Sequence, residues 1–266
     1  MKVLATYAIK GGVGKTSAAV NLGHLAAEQG LRTLLWDIDP QGSATFLFRV
    51  RPKVKGGSHG LVTGKRALDD SIKGTDYPGL DLLPADFTYR SLDLELDAVK
   101  NPTRRLLRLL EPFTGEYDLV VLDCPPSVSL TSESVLHAAD LLAVPLVPAA
   151  LSLRSFDQLV DFLDALGQGG HDGARVDRPD VLAFWSMVDR RKKLHRELTA
   201  LGAQNGRPIS NVLIPNLSAV ELMAERREPV TATQPTGPAA TAYRRLWNEV
   251  AGRLRLTSTG GGRRGS

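Results

Sequence analysis

The sequence has almost no cysteine and no long apolar run. Its single cysteine, Cys124, excludes an internal disulfide, a CxxC zinc or redox pair and a four-thiolate iron–sulfur site within one chain. No apolar run approaches the roughly 18 residues that a membrane-spanning helix needs. The N-terminus is typical of a strand followed by a loop rather than of a secretory signal. We therefore expect a cytoplasmic protein without a membrane span.

The sequence also lacks a large excess of charge. Its 33 Lys and Arg residues exceed its 29 Asp and Glu residues by 4, and Arg263 and Arg264 supply two of these charges. Because so small a net charge says little about partners, only local basic clusters bear on nucleic-acid binding. Two clusters are present, comprising Arg190, Arg191, Lys192, Lys193 and Arg196, and Arg226 with Arg227. From the residues alone, each is either a solvated surface or a phosphate-binding surface.

The composition is that of a folded domain, with 42% hydrophobic and 23% charged residues. Apolar segments bounded by turn residues alternate with segments of helical period, which predicts an α/β fold. We expect a doubly wound, mostly parallel β-sheet with helices on both faces, as one domain over residues 1–256 with a disordered glycine-rich tail over residues 257–266. Strands are predicted at residues 3–9, 33–39, 80–84, 119–124, 141–148, 181–188 and 211–215. Helices are predicted at residues 15–29, 103–110, 129–139, 153–166, 194–201 and 238–253, and a mobile loop at residues 49–64.

A glycine-rich segment, Lys10-Gly-Gly-Val-Gly-Lys15-Thr16-Ser17, joins the first predicted strand to the first predicted helix. Its glycines allow backbone N–H groups to converge on phosphates, and the helix N-terminus adds positive potential. In such a loop Lys15 reaches the β and γ oxygens, and the Thr16 hydroxyl ligates Mg²⁺. We expect a nucleotide and Mg²⁺ as ligands, with the phosphates bound by Gly11, Gly12, Val13, Gly14, Lys15, Thr16 and Ser17.

Three motifs carry a family resemblance. The phosphate loop has a second lysine, Lys10, and lacks the first glycine of the general pattern, which would fall at Ile9. The segments Leu-Trp-Asp-Ile-Asp-Pro-Gln-Gly (residues 35–42) and Tyr-Asp-Leu-Val-Val-Leu-Asp-Cys-Pro-Pro-Ser (residues 117–127) follow the other two motifs. The sequence resembles the ParA/MinD family of deviant Walker A P-loop ATPases, and within it the Soj-like partition and positioning branch. The resemblance spans roughly residues 1–254 and is loose in the C-terminal nucleotide-edge segment, at residues 214–216, 220–221 and 228–230.

The resemblance implies a P-loop NTPase fold, Mg²⁺-dependent ATP hydrolysis of weak intrinsic rate, and an ATP-dependent homodimer. It implies that Asp39 orients the attacking water and that Lys10 crosses to the partner's ATP, so that Lys10, Lys15 and Asp39 are the catalytic residues. It further implies a magnesium shell of Thr16, Asp37 and Asp123, and nucleotide contacts from Pro215 and Asn216. Cys124 is expected to be a small buried residue.

Proteins of several functions share these motifs. A nitrogenase-type iron protein needs two cysteines per chain, which one cysteine excludes. A MinD-like membrane regulator is an alternative, but it needs a basic amphipathic helix, and the last predicted helix carries the core-like stripe Tyr243, Leu246, Trp247 and Val250. We favour a nucleoid-associated ATPase that binds non-specific DNA and a ParB-like adaptor, without a membrane partner. A nucleotide-gated scaffold with negligible hydrolysis stays open, as does the cargo, whether a chromosome, a plasmid or a protein body such as a carboxysome.

Overall fold

A computed structural model describes residues 1–63, 68–167, 178–204 and 207–256. Within these residues, the strands are β1 (Lys2–Thr6), β2 (Thr33–Asp37), β3 (Lys73–Gly74), β4 (Leu80–Leu83), β5 (Leu119–Asp123), β6 (Leu141–Leu146), β7 (Asp180–Val188) and β8 (Ile209–Pro215). They form one eight-stranded sheet in the order β3-β4-β2-β5-β1-β6-β7-β8, in the part of the chain described. The β3–β4 pair is antiparallel and the other pairs are parallel. The sheet confirms the predicted fold class.

Helices connect the strands. They are α1 (Lys15–Glu28), α2 (Ser43–Leu47), α3 (Gly57–Thr63), α4 (Leu92–Asp97), α5 (Arg105–Leu110), α6 (Leu130–Ala138), α7 (Ala150–Gly167), α8 (Lys193–Gln204), α9 (Ser218–Glu221), α10 (Met223–Arg226), α11 (Val230–Thr233) and α12 (Pro238–Leu254). Short 3₁₀ segments lie at Leu68–Ser71, Phe87–Ser91, Pro102–Arg104 and Glu111–Gly115. Across the described ranges, none of the helices combines the length and the apolar character that crossing a membrane requires.

The sheet separates two apolar cores because successive side chains of a strand point to opposite faces. In the central strand β1, Leu4 packs in one core with Leu22 of α1 and Trp247 of α12. Val3 packs in the other core with Phe156 of α7. Strands of a parallel sheet that are covered on both faces are apolar on both faces, which explains the near-continuous apolar runs of the sequence.

The central strands place three polar side chains at one edge of the sheet. Thr6 ends β1 and pairs with Asp123 at the end of β5, and Asp123 also pairs with Asp37 at the end of β2. Because the strands are parallel, these ends and the loops that follow them lie side by side. The first predicted motif therefore lies next to the other two in space.

The structure corrects the prediction of a mobile loop at residues 49–64. Gly57–Thr63 forms helix α3, and Val54, Leu61 and Val62 are buried in the core that also contains Leu92 of α4. The glycine and lysine content of this segment is typical of a loop, but its three apolar residues pack in the hydrophobic core and hold the segment there. Residue 64 and the predicted tail at 257–266 lie outside the described residues.

Several predicted boundaries are wrong by a few residues. β1 and β2 end at Thr6 and Asp37 rather than at residues 9 and 39, because the glycine-rich loop and the turn before Pro40 begin there. The helix predicted at residues 103–110 is a 3₁₀ turn, Pro102–Arg104, followed by α5. Proline at the first position of that turn favours its start at residue 102.

Helix α12 packs as its apolar stripe predicts. Tyr243, Leu246, Trp247 and Val250 are all buried, in the core that α12 shares with α1. The indole N–H of Trp247 donates to Oε1 of Gln29 at 2.7 Å, so the one polar atom of this buried ring has a hydrogen-bond partner. This face of α12 is therefore part of the fold and not a free surface.

We predict that Gly202→Ala destabilises the fold. A Cβ at residue 202 would lie 2.6 Å from Cζ2 of Trp185, whose ring is buried beneath α8. Overpacking of this kind costs about 1–3 kcal/mol, and about 2–4 °C of Tm accompanies each kcal/mol in a chain of this size. Thermal unfolding followed by circular dichroism measures the loss.

The matched control is Gly252→Ala in α12, where an added Cβ meets nothing within 4 Å. Alanine is a better helix former than glycine by about 0.5–1 kcal/mol, so the control gains stability. Equal Tm changes for the two variants would contradict the tight packing of α8 on Trp185.

Candidate functional site

The loop between β1 and α1 has the backbone geometry that its glycines permit. Gly12 and Gly14 have φ of 68° and 99°, a region that side-chain-bearing residues rarely adopt. A Cβ on Gly14 would also lie 2.7 Å from Oγ of Ser186 in β7. Gly14 caps α1 without a side-chain hydrogen bond, so the first-turn N–H groups of α1 remain open to an anion.

Lys15 lies inside this loop. Its residue is 6% exposed, and its Nζ donates to the backbone oxygen of Lys10 at 3.3 Å. Burial lowers the pKa of Lys15, whereas the charges of Asp123, Cys124 and Asp39 oppose that shift. The ammonium is therefore held between the glycine-rich loop and an acidic strand edge.

Two carboxylates are fully buried at that edge. Oδ2 of Asp37 accepts hydrogen bonds from the backbone N and the Oγ1 of Thr45, both at 2.7 Å. Oδ1 of Asp123 accepts one from Oγ1 of Thr6 at 3.4 Å. The remaining oxygens, Oδ1 of Asp37 and Oδ2 of Asp123, are buried without a hydrogen-bond partner in the described structure. Unpaired buried carboxylate oxygens of this kind fit a hard divalent cation such as Mg²⁺.

The two carboxylates share one low-dielectric site. Burial raises the pKa of Asp123 well above its ordinary value, and the charge of Asp37 raises it further. Burial likewise raises the pKa of Asp37 to about 6, although the Thr45 hydrogen bonds oppose this shift. The two carboxylates therefore favour the binding of a cation at this site.

Asp39 lies on the rim of the site rather than inside it. It follows β2 by two residues, is half-buried, and accepts a hydrogen bond from the backbone N of Gln41 at 2.9 Å. It lines a cavity of about 750 Å³ that opens at the carboxyl ends of the strands. The predicted residues in the wall of this cavity are Gly11, Gly12, Gly14, Lys15, Thr16, Ser17 and Asp39.

The sequence analysis missed most of the opposite wall of the cavity, although Gln41 and Pro126 lie in the quoted motifs and Val220 in the loosely matched C-terminal segment. Phe46 and Leu47 of α2, Met187 of β7, and Val220, Met223 and Ala224 of α9 and α10 line it together with Gln41, Ser43 and Pro126. The guanidinium of Arg227 lies 4.4 Å from the centre of the Phe46 ring, and its Nε donates to the Phe46 backbone oxygen at 2.9 Å. The available signal was positional, because these segments follow the carboxyl ends of strands, where open α/β sheets bind ligands.

Other predicted nucleotide contacts lie outside this cavity. Lys10 and Val13 line a neighbouring pocket with Val144 and Phe156, between β6 and α7. Pro215 ends β8, and the backbone N of Asn216, which follows it, donates to the oxygen of Val188 at 3.0 Å. Neither Pro215 nor Asn216 is among the cavity-lining residues, and their nucleotide role stays a prediction. Cys124 is buried, as predicted.

The larger basic cluster follows β7 and is exposed. Arg191 binds both oxygens of Asp189 at 3.0 Å and lowers the pKa of Asp189 to about 2. Arg196 donates to the backbone oxygens of Arg190 and Arg191, and Nζ of Lys193 lies 3.7 Å from Oε1 of Glu197. Within the described ranges, Arg190 and Lys192 form no ion pair. Arg226 is exposed at the end of α10.

Comparison with known proteins identifies relatives along almost the whole chain. A family profile described as an AAA domain, AAA_31, matches residues 1–171. The chromosome partitioning protein ParA of Caulobacter vibrioides is 32% identical over 259 residues, which cover 96% of each chain. The sporulation initiation inhibitor protein Soj of Bacillus subtilis is 29% identical over 252 residues, 94% of this chain and 98% of that one.

Solved structures share the fold. Cobyrinic acid a,c-diamide synthase from Mycobacterium smegmatis, with a bound ATP analogue and magnesium, superposes with a TM-score of 0.80 at 27% identity, covering 96% of both chains. An ATP complex of McdA from Cyanothece gives 0.78 at 20% identity, over 98% of this chain and 99% of that one, and shows the fold alone. On the profile match and on the identity to ParA of C. vibrioides over 96% of both chains, this protein belongs to the ParA/MinD family of P-loop ATPases.

Proposed function

We propose that the protein is an ATP-driven partition or positioning ATPase that uses magnesium, dimerises on ATP and holds its cargo near DNA until hydrolysis releases it. The observation that carries the proposal is the pair of unpartnered, buried carboxylate oxygens of Asp37 and Asp123 beside the phosphate loop. Such a pair is costly in a structural role and is matched to a cation bound with a nucleotide. The ParA relative from C. vibrioides is named a chromosome partitioning protein, which supports this assignment.

The cavity suits ATP at both ends. The loop from Gly11 to Ser17 and the open N-terminus of α1 take the phosphates, with Lys15 supplying a charge. The apolar wall that includes Phe46, Val220 and Met223 offers a purine base a surface to pack on. The ATP analogue and magnesium bound in the M. smegmatis relative are consistent with this placement.

The residues for hydrolysis lie around the phosphate end. Thr16, Asp37 and Asp123 are the residues that hold magnesium, which supplies positive charge to the phosphate oxygens when bound. Asp39 lies on the cavity rim, where it orients the attacking water. Lys15 neutralises charge on the phosphates from inside the loop.

The position of Lys10 supports action on a second subunit. Its side chain lines the pocket beside β6 and α7 and not the nucleotide cavity of its own chain. Val128 and Leu151 follow β5 and β6 at the same edge of the sheet and are 58% and 63% exposed. This edge therefore offers an apolar surface to a second copy, whose ATP Lys10 contacts.

DNA binding is assigned to the exposed cations that the fold does not use. Arg190 and Lys192 meet that condition, whereas Arg227 is engaged with Phe46. A ParB-like adaptor on the cargo stimulates hydrolysis and so releases the dimer from the nucleoid. A MinD-like membrane role is less favoured, because the apolar stripe of α12 is buried in the core. Measurable ATP turnover stimulated by DNA and adaptor separates this function from that of a scaffold.

We predict that Asp37→Asn stabilises the nucleotide-free protein and abolishes most of its activity. Burial raises the pKa of Asp37 to about 6 in the folded protein. The folded protein therefore loses stability as the pH rises from the pKa of this carboxyl in the unfolded chain to about 6. The neutral variant avoids this loss, so its Tm at pH 8 exceeds that of the unmodified protein by an amount corresponding to about 1–3 kcal/mol. The gain shrinks towards pH 4, and Mg²⁺-dependent ATP turnover falls at least about tenfold.

Asp161→Asn, which changes an exposed carboxylate of α7, is the control and leaves both quantities near their original values. Differential scanning calorimetry at several pH values and phosphate release measure the two effects. An Asp37→Asn variant with full turnover would remove the proposed magnesium role of this residue.

We predict opposite effects of two variants on the oligomeric state. Asp39→Ala stops water positioning but leaves the phosphate contacts, so ATP produces a long-lived dimer. Lys10→Ala removes the charge that reaches the partner's nucleotide, so the protein stays monomeric with ATP. Light scattering after size-exclusion chromatography reads both states, and Lys15→Ala, which weakens ATP binding, is the control. A monomeric Asp39→Ala variant with ATP bound would contradict this mechanism.

We predict that Arg190→Ala with Lys192→Ala weakens DNA binding without affecting the ATP-driven dimer. Each lost phosphate contact makes the negative slope of log affinity against log salt shallower by about 0.9. Fluorescence anisotropy with duplexes of unrelated sequence, with ATP or ADP, measures affinity across a salt series. The control variant replaces Lys100 and Arg245, two exposed cations elsewhere, with alanine. Unchanged binding by the first variant would exclude this cluster as the DNA surface.

A further inference from the structure

A second basic surface lies at the far edge of the sheet. It is a groove of about 520 Å³, which we call the β3 groove, next to strand β3 and the segment between α2 and α3. Its lining residues are Val50, Arg51, Lys53, Lys55, Asp70, Ser71 and Lys73. Four of these seven residues are cationic and one is acidic. The groove therefore has a strong positive bias in a protein whose overall charge is nearly balanced.

The fold uses only part of this positive charge. Nζ of Lys55 lies 2.6 Å from Oδ2 of Asp70, and Nζ of Lys73 donates to the backbone oxygen of Asp70 at 3.2 Å. Arg51 and Lys53 are exposed and belong to no ion pair among the described residues. Exposed cations outside ion pairs are available to a ligand.

The charge of Lys53 helps to lower the pKa of the neighbouring carboxylate, Asp86, but the hydrogen bonds of Asp86 go to other groups. Oδ2 of Asp86 accepts a hydrogen bond from the backbone N of Val54 at 2.8 Å, and its Oδ1 accepts two from Thr88, at 2.9 and 2.6 Å. Asp86 thus anchors the segment that carries Arg51 and Lys53. The same contacts fix the backbone that presents the two charges.

The lining indicates which anion fits. Its one apolar side chain, Val50, is half-buried, and it contains no aromatic ring. None of the large hydrophobic residues exposed in the described chain lines the groove, so insertion into lipid has no support there. Cations without stacking rings match the backbone phosphates of a duplex, which carries one charge per about 1.7 Å of its axis.

We propose that the β3 groove is a second binding surface for the backbone phosphates of double-stranded DNA. This inference rests on the DNA-binding function proposed above and assigns it a further site. Six strand steps separate β3 from β7, which precedes the Arg190 cluster, and at about 4.8 Å per step the two strands are roughly 29 Å apart across the sheet. The nucleotide loop after β1 lies between them, so each chain contacts DNA on both sides of its ATP site.

The test is the salt dependence of DNA binding by the full chain with ATP and magnesium, on duplexes of unrelated sequence. Arg51→Ala with Lys53→Ala removes two phosphate contacts, which makes the slope of log affinity against log salt shallower by about 1.8. Between about 50 and 200 mM salt, the affinity of this variant therefore falls about 12-fold less than that of the unmodified protein. Lys53→Gln alone gives about half the change in slope, and serves if the double variant is unstable.

Two controls separate this surface from a general charge effect. Replacing Lys100 and Arg245 with alanine removes the same charge from exposed positions elsewhere and leaves the slope near the original value. ATP-driven dimerisation is expected to persist in every variant. If the Arg51/Lys53 variant keeps the original slope, the proposed DNA-binding role of the β3 groove is overturned while the proposed function stands. An ATP-bound dimer that binds no DNA at all overturns both, and binding to anionic vesicles in place of DNA assigns the groove to a membrane instead.

Discussion

The juxtaposition of Asp37 and Asp123 is the constraint on which the rest of the structure depends. The β2–β5 register pairs these residues directly, and both are fully buried. Burial raises the pKa of both carboxyls and the charge of Asp37 raises that of Asp123 further, so the protein holds them at a cost. Only a sheet with well-packed cores on both faces offsets such a cost. The polar strand ends therefore depend on the long apolar runs, which form the cores that offset the cost of burying the carboxylates.

The phosphate loop places positive charge next to these two carboxylates. Gly12 and Gly14 turn the chain with positive φ, so that α1 starts over the acidic edge and Lys15 reaches it. The N–H groups at the start of α1 attract anions, whereas the carboxylate pair attracts a cation. Neither charge is satisfied by the protein alone. The magnesium-bound nucleotide proposed above would satisfy both at once, which would explain why the two unfavourable features occur side by side.

The sequence predicts those parts of the molecule that local chemistry determines. The glycine spacing before Lys15 needs one backbone geometry, and the apolar stripe of α12 needs a core, and both are found. The apolar wall with Phe46 and Met223 could not be predicted, because it forms where two segments distant in the chain converge. The prediction of a mobile loop at residues 49–64 was wrong for the opposite reason. Its composition resembles a loop, yet Val54, Leu61 and Val62 are enough to dock it.

The same segment shows how packing and charge are divided within one stretch of chain. Val54 is buried, whereas Arg51 and Lys53 just before it are exposed, and Asp86 fixes the backbone that separates them. An anchored backbone reduces the conformational entropy that the cations lose on meeting a ligand. The cluster after β7 is arranged similarly, since Asp189 and Arg196 hold the backbone while Arg190 and Lys192 extend into solvent. Held in this way, a few surface cations form a defined surface rather than a diffuse charge.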